Sequence, residues 1–384
     1  MSPPTGPPPP RPRSRDLGIV TGRLPTGPLN AVTDVPGVRV GHTTVWADDA
    51  PGGGHGGGPG GGPGGGPGGG TLRTGVTAVW PHDGNPFTER VHAATSTFNG
   101  YGVLTGDLVI DEWGLLGSPV VLCDTANLGI AYDAVVRHLQ ALDPSAGRDD
   151  VVMPVVGECD DGFLNDNRAR ALTEDHVVTA LTSAAGGPVA LGAVGAGTGM
   201  QLFDFKGGVG TASRVVRLGD REWTVGVLLN GNFGTRPQLR VAGAPVGAAL
   251  TDRMPSRHSE GSCIAVVATD LPLLPHQLRR LARRVDVGLG RLGSVGNDGS
   301  GEIFLAFSTA QRVPRTGDLL ALRAVVEGQY WTHGSPLDEV FDAVAEAAEE
   351  AALDALFVAD TVVGRDGNVL HGLPVDEVLP LLAR

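Results

Sequence analysis

Apolar residues along this chain fall mostly into short runs cut off by glycine, proline or acids. Short β-branched runs bounded by turn residues predict strands at residues 37–41, 75–80, 118–122, 151–156, 188–194, 263–269 and 301–307. Residues 209–218 and 222–229 predict an antiparallel pair turning at Gly219-Asp220. Helical spacing recurs in fewer places. Ile130, Ala134, Val135, Leu139 and Leu142 fit a helix over 128–142, and 173–185 fits another. Leu278, Leu281, Ala282 and Val285 share one face of a helix starting at Pro275. A capping-box pattern, Ser335-Pro336-Leu337-Asp338, opens a last helix running to about Ala359. Roughly nine strands and four helices, with the strands clustered, predict mixed α/β layers with helices packed outside the strands.

Two segments break the pattern. Residues 3–12 are mostly proline, and residues 51–70 repeat one residue followed by Gly-Gly-Gly. Neither can bury enough apolar surface to offset its chain entropy. The expectation is a disordered tail at 1–15 and a single domain over 16–384 that carries a disordered insert at 51–70. If the strands flanking the insert pair, it is an enlarged hairpin loop and not a domain boundary.

The net charge of −13 argues against a nucleic-acid partner. Arg279, Arg280, Arg283 and Arg284 read as one solvated helix face. Cys123, Cys159 and Cys263 are widely spaced and odd in number, which suggests reduced thiols and a cytoplasmic protein. No apolar run reaches the roughly 20 residues of a membrane helix, so no membrane partner is expected.

Glycine loops raise the question of nucleotides. Gly288-Leu289-Gly290-Arg291-Leu292-Gly293 matches GxGxxG in letters, but a helix precedes it and a strand follows, the reverse of the binding context. No P-loop, HExxH, CxxC or GxSxG is present, so neither a cofactor nor a metal is expected. His42, His82 and His92 read as structural or solvated. What remains is polar chemistry at strand ends. Ser262 follows Gly261 at the head of one predicted strand, Ser300-Gly301-Glu302 heads another, and Asn230 and Asn232 close a third. Were these ends to meet, they would supply a nucleophile, a polar relay with a carboxylate, and an amide donor for an oxyanion. Pattern alone does not assemble them.

Four stretches in order resemble the L-aminopeptidase/D-esterase family, which includes the β-peptidyl aminopeptidases. They are residues 28–43, residues 205–214, the run from Gly261-Ser262-Cys263 through Leu278, and residues 299–309. The resemblance implies an α+β fold, a four-layer α/β/β/α sandwich similar to N-terminal-nucleophile hydrolases but differently connected. It implies self-cleavage between Gly261 and Ser262 into an α chain, 1–261, and a β chain, 262–384, that stay associated as units of a homo-oligomer. Ser262 is then the nucleophile of a serine aminopeptidase acting on short peptides, amides or esters through an acyl-enzyme. Ser300 and Glu302 match the supporting serine and acid. Asn230 matches the oxyanion asparagine, whose loss elsewhere costs roughly 10²–10³ in rate. Relatives also use an α-chain tyrosine, where the acidic loop here offers Phe163. Glu158, Asp160 and Asp161 are candidates to hold a peptide's N-terminal ammonium. The rival readings are an N-acyltransferase of the ornithine acetyltransferase type, which uses threonine, and a non-catalytic assembly protein of the same fold.

Overall fold

Alternation of side chains along the strands sorts the apolar residues onto three faces, and three clusters of buried side chains follow from it. The computed structural model describes residues 11–50, 70–257, 261–317, 322–325 and 335–383. Most of the proline tail and the glycine insert lie outside these residues.

One sheet has the order β1 (Arg39–Ala50), β2 (Gly70–Trp80), β5 (Val120–Cys123), β6 (Val155–Glu158). A second has the order β4 (Leu115–Leu116), β3 (Glu89–Gly100), β12 (Gly301–Pro314), β11 (Gly261–Thr269), β10 (Arg221–Phe233), β9 (Gly208–Leu218). Two small hairpins, β7 (Gln201–Leu202) with β8 (Phe205–Lys206) and β13 (Val362–Val363) with β14 (Val369–Leu370), stand apart. β1 and β2 pair antiparallel, Arg39 opposite Trp80, so the two strands flanking the insert form one hairpin.

The layers follow from period two. Val76, Ala78, Val121 and Cys123 bury their side chains against α2 (Leu128–Leu142) and α3 (Glu174–Thr182). Their sequence neighbours Val79, Val120 and Leu122 point the other way and meet Leu228, Ile264, Val266 and Leu305 of the second sheet. The opposite face of that sheet, with Ala265, Val267 and Phe304, packs on α5 (Pro275–Ala282), α6 (Val285–Arg291) and α7 (Asp338–Val358). The stack is helix, sheet, sheet, helix. The short helices α1 (Asp107–Trp113), α4 (Val246–Ala249) and α8 (Val375–Leu382) complete the chain.

Several expectations need correction. Residues 188–194 are not a strand; Gly192 is left-handed there and only bridges Val209. The strand expected at 151–156 starts at Val155, after Pro154, whose missing N–H ends a ladder. Strand β3 went unpredicted because its interior carries Ala93, Ala94 and Thr95, with no β-branched apolar run. The GxGxxG letters belong to helix packing. Gly288 lies inside α6, where a Cβ would come within 2.5 Å of the Ala345 carbonyl oxygen, so it lets α6 approach α7. Residues 11–15, assigned to the disordered tail, are held: Arg11 donates to the Ala359 carbonyl, and Arg13 and Ser14 to the Asp354 carboxylate. Basic and hydroxyl side chains there meet acids that α7 would otherwise bury unpaired.

Candidate active site

Gly261 and Ser262 open β11 at the rim of the six-stranded sheet. Gly261 has φ +70°, and a Cβ there would lie 1.8 Å from the Asn232 carbonyl oxygen, so the backbone path admits only glycine. Ser262 is in register with Asn232 on the antiparallel side and with Gly301 on the parallel side. Because Ile264 and Val266 face the other sheet, Ser262 does too. Leu228 fixes the same face for Asn230, which pairs with Ile264, so the Ser262 hydroxyl and the Asn230 amide share one face on neighbouring strands.

Ser262 forms part of the wall of a cleft of about 620 Å³, shared with Tyr101, Val103, Thr125, Glu158 and Asp160. Among the described residues, Ser262 Oγ and both polar atoms of the Asn230 amide are buried without a hydrogen-bond partner. Native proteins rarely leave buried polar groups unmatched, and two together at a cleft mark a place where something else supplies the partner. Cys159 is buried beside Asn230. Its Sγ sits 3.9 Å from the Asn230 carbonyl oxygen. Burial first, then the Glu158 charge, pushes its thiol up to about 12, against the opposing effects of Ser262 and Asn230, so the thiol is neutral.

Glu158 is held on two sides, by the Val103 N–H at 2.8 Å and by the Thr125 hydroxyl. Burial raises its pKa against both hydrogen bonds. Asp160 stays exposed at the rim; its carbonyl accepts from Asn232 Nδ2 at 2.9 Å and its carboxylate from Asn167 Nδ2 at 2.7 Å. Asn232 therefore ties the acidic loop to the strand beside Ser262.

Ser300 donates to Glu302, and both are buried. In the parallel register Glu302 lies beside Cys263, whose side chain belongs to the helix-facing cluster. The Ser300–Glu302 pair thus flanks the Gly301 position opposite the Ser262 backbone, on the far face from Ser262 Oγ. Burial, with the Glu302 charge, pushes the Asp286 carboxyl on α6 up to about 7. A carboxyl raised on folding binds more protons in the native state, so its contribution to stability is lost as pH rises from about 4 to about 7. Asp286→Asn removes that loss. After discounting for partial exposure, it should stabilise by about 1–2 kcal/mol at pH 8 and hardly at pH 4. Thermal melts at the two pH values check this; an equal gap at both would refute the assignment.

The model of peptidase family S58 matches residues 30–370. The chain belongs to peptidase family S58. It is 40% identical to the β-peptidyl aminopeptidase BapA of Sphingosinicella microcystinivorans, over 97% of this chain and 92% of that one. The L-aminopeptidase D-Ala-esterase/amidase of Ochrobactrum anthropi, described as a prototype serine aminopeptidase and a variant of the Ntn hydrolase fold, superposes with a TM-score of 0.85. Sequence identity is 39%, covering 97% and 98% of the two chains. The PH0078 protein of Pyrococcus horikoshii superposes at a TM-score of 0.86 with 37% identity, over 97% and 99%. As an S58 member the chain is a hydrolase, a serine aminopeptidase of Ntn-variant fold.

Within this S58 chain the cleft gathers Gly261, Ser262, Glu158 and Asp160 from the residues predicted by sequence. It is not lined by Asp161 or Phe163, nor by Asn230, Ser300 or Glu302, which lie buried behind it. Asp161 is fully buried, accepting from Asn165 Nδ2 at 3.0 Å, and burial plus the Asp124 charge push its carboxyl well up. Phe163 packs with Leu164, Val362 and Leu370 under the Arg257 guanidinium. Sequence reasoning missed Tyr101, Val103 and Thr125. The one available signal was Gly100-Tyr101-Gly102, an aromatic framed by glycines; Tyr101 is 76% exposed at the cleft, a display no folding argument requires. Among the described residues no cluster of His, Cys, Asp or Glu is arranged for a metal, and no helix is long and apolar enough to cross a membrane.

Proposed function

We propose that this serine aminopeptidase makes its own nucleophile by cutting the Gly261–Ser262 bond. The observation that carries this reading is the pair of buried, unpartnered groups, Ser262 Oγ and the Asn230 amide, on one face at the cleft. In the precursor the Ser262 hydroxyl adds to the Gly261 carbonyl and the C–N bond breaks. The hydroxyl proton passes to the departing nitrogen, and water hydrolyses the resulting ester. The freed α-amine, with a reference pKa of about 8, is then the base nearest Ser262 Oγ. Ser300 and Glu302 flank the backbone position where that amine would sit, on the face away from the hydroxyl, which supports a role in holding the amine.

The same hydroxyl attacks a substrate carbonyl, Asn230 Nδ2 donates to the oxyanion, and the acyl-enzyme on Ser262 is hydrolysed. Glu158 and Asp160 give the far side of the cleft the negative potential suited to a substrate ammonium, and Tyr101 is the phenol within reach. Short peptides, amides and esters with a free amine fit this cleft. Self-association of αβ units is part of the reading, supported by the exposed Leu108, Trp113 and Val151 near a second cavity of about 260 Å³. A cytoplasmic location accords with three buried free thiols.

Denaturing electrophoresis of the purified protein should give two fragments, the smaller beginning Ser262-Cys263-Ile264. The same preparation should release the first residue of a short peptide amide, and an added acyl-accepting amine should not replace water as the main acceptor. A chain that stays whole sinks the self-cleavage reading; dominant transfer would favour the acyltransferase.

A further inference from the structure

The Arg236 guanidinium is buried at the end of β10 and uses all five of its N–H donors on backbone carbonyls. Nε reaches Phe203 O at 3.2 Å, and Nη2 reaches Asp204 O at 2.8 Å and Arg253 O at 3.4 Å. Nη1 reaches Leu250 O at 3.0 Å and Asp252 O at 2.9 Å. The Phe205 ring lies beneath, 3.3 Å from the guanidinium carbon. Burial lowers its pKa to about 10, a cost that the nearby charges of Asp204 and Asp252 only partly offset. A buried cation in so costly a place, whose guanidinium binds no side-chain carboxylate among the described residues, is there for the carbonyls it collects.

Three of those five carbonyls lie within residues 250–253, on the path to the Gly261–Ser262 bond. Beyond them the path stays tethered. Arg253, left-handed at φ +53°, pairs with Glu377 at 2.7 Å, Ser256 donates to Asn368 at 3.2 Å, and Arg257 stacks over Phe163. At the other end Gly261 is wedged against Asn232. Asn232 and Arg236 are four residues apart, so one short stretch of chain fixes both ends of the approach to the bond.

We propose that Arg236 is a positioning residue for self-cleavage: by gathering the carbonyls of Leu250, Asp252 and Arg253 it aims the incoming chain at Ser262. The inference rests on the self-cleavage reading above. It predicts an effect on maturation and none on later turnover, because a cleaved chain no longer has to be aimed.

The test follows the cleaved fraction over time for wild type, Arg236→Lys and Arg236→Ala, then measures kcat and KM on the cleaved fraction alone. Lysine keeps the charge but has three donors. Cleavage should slow about tenfold or more in both variants, with kcat and KM of the cleaved material unchanged, and millimolar methylguanidinium should restore the rate in Arg236→Ala. Thermal melts of each variant in the Ser262→Ala background separate slow cleavage from failure to fold. Cleavage at the wild-type rate in a folded variant overturns the proposal, as does an equal loss of kcat in the cleaved fraction. If wild type itself stays whole, the self-cleavage reading falls, and this inference with it.

Discussion

Ser262→Ala should run as one polypeptide at the full 39.3 kDa and hydrolyse nothing measurable, a loss on the order of 10⁴-fold or more. Nothing nearby can replace the hydroxyl. Cys159 touches the same place, but its thiol is pushed up to about 12 and stays protonated, and Ser300 spends its hydroxyl on Glu302 from the opposite face of the sheet. The fold should not suffer. Ser262 Oγ has no well-formed hydrogen bond among the described residues, only a weak contact with the Cys159 thiol, so its removal takes away a poorly matched buried polar atom and little else. Stability should be unchanged or higher by up to about 1 kcal/mol. This opposition, activity gone and melting temperature held or raised, separates a nucleophile from a structural serine. Electrophoresis, a peptide-amide assay and a thermal melt read it. A cut Ser262→Ala chain, or one that melts several degrees lower, would contradict the assignment.

The residues of the cleft differ in how visible they are before folding. Ser262 and Asn230 stand out because each sits where a β-branched run begins or ends, and the register that joins them is set by the same apolar alternation that marks the strands. The antiparallel pair at Gly219-Asp220 and the helix at 128–142 are visible for the same local reason. Tyr101 and Thr125 come from connections whose placement depends on how the two sheets stack, which no local period encodes. Phe163 illustrates the reverse error. Its neighbours Asp160 and Gly162 belong to the acidic loop, yet the Asp161–Asn165 turn rolls its ring away from the cleft and under Arg257. The acids of α7 were the least visible. Glu346, Glu350 and Asp354 are buried on α7 because their cations, Arg214, Arg15 and Arg13, come from segments more than a hundred residues away.

Those acids set the largest expected stability effect. Glu350 has a fully buried carboxylate that accepts from Arg15 at 2.5 and 2.8 Å, from Asn30 at 2.5 Å and from Arg214 at 2.7 Å. Arg214 is equally buried; besides Glu350 it pairs with the Glu346 carboxylate and donates to the Ser213, Thr21 and Glu346 carbonyls. Glu350→Ala leaves that guanidinium half-compensated in the core and should cost about 3–5 kcal/mol at pH 7. The double change Arg214→Met with Glu350→Met should cost less than the sum of the two single removals, because the two charges leave together and only Glu346 loses its guanidinium. Burial alone would raise the Glu350 carboxyl, but the Arg15 hydrogen bond and the Arg214 and Arg15 charges outweigh it and hold it below the usual glutamate range. A carboxyl lowered on folding stabilises above its unfolded pKa, near 4.3, and that contribution is lost as pH falls through the folded value. The gap between wild type and Glu350→Ala should therefore be widest at neutral pH and shrink below about pH 4. Urea unfolding across pH 3–7 measures it; a gap independent of pH would mean that packing, not charge, is what Glu350 supplies. Arg15 and Arg214 lie before Ser262 and Glu350 after it, so under the proposed cleavage this cluster would tie the two fragments through buried charge, alongside the β10–β11 ladder. In cleaved Glu350→Ala the fragments should part at lower urea than in uncut Glu350→Ala/Ser262→Ala, whose covalent link keeps them together when that tie is weakened.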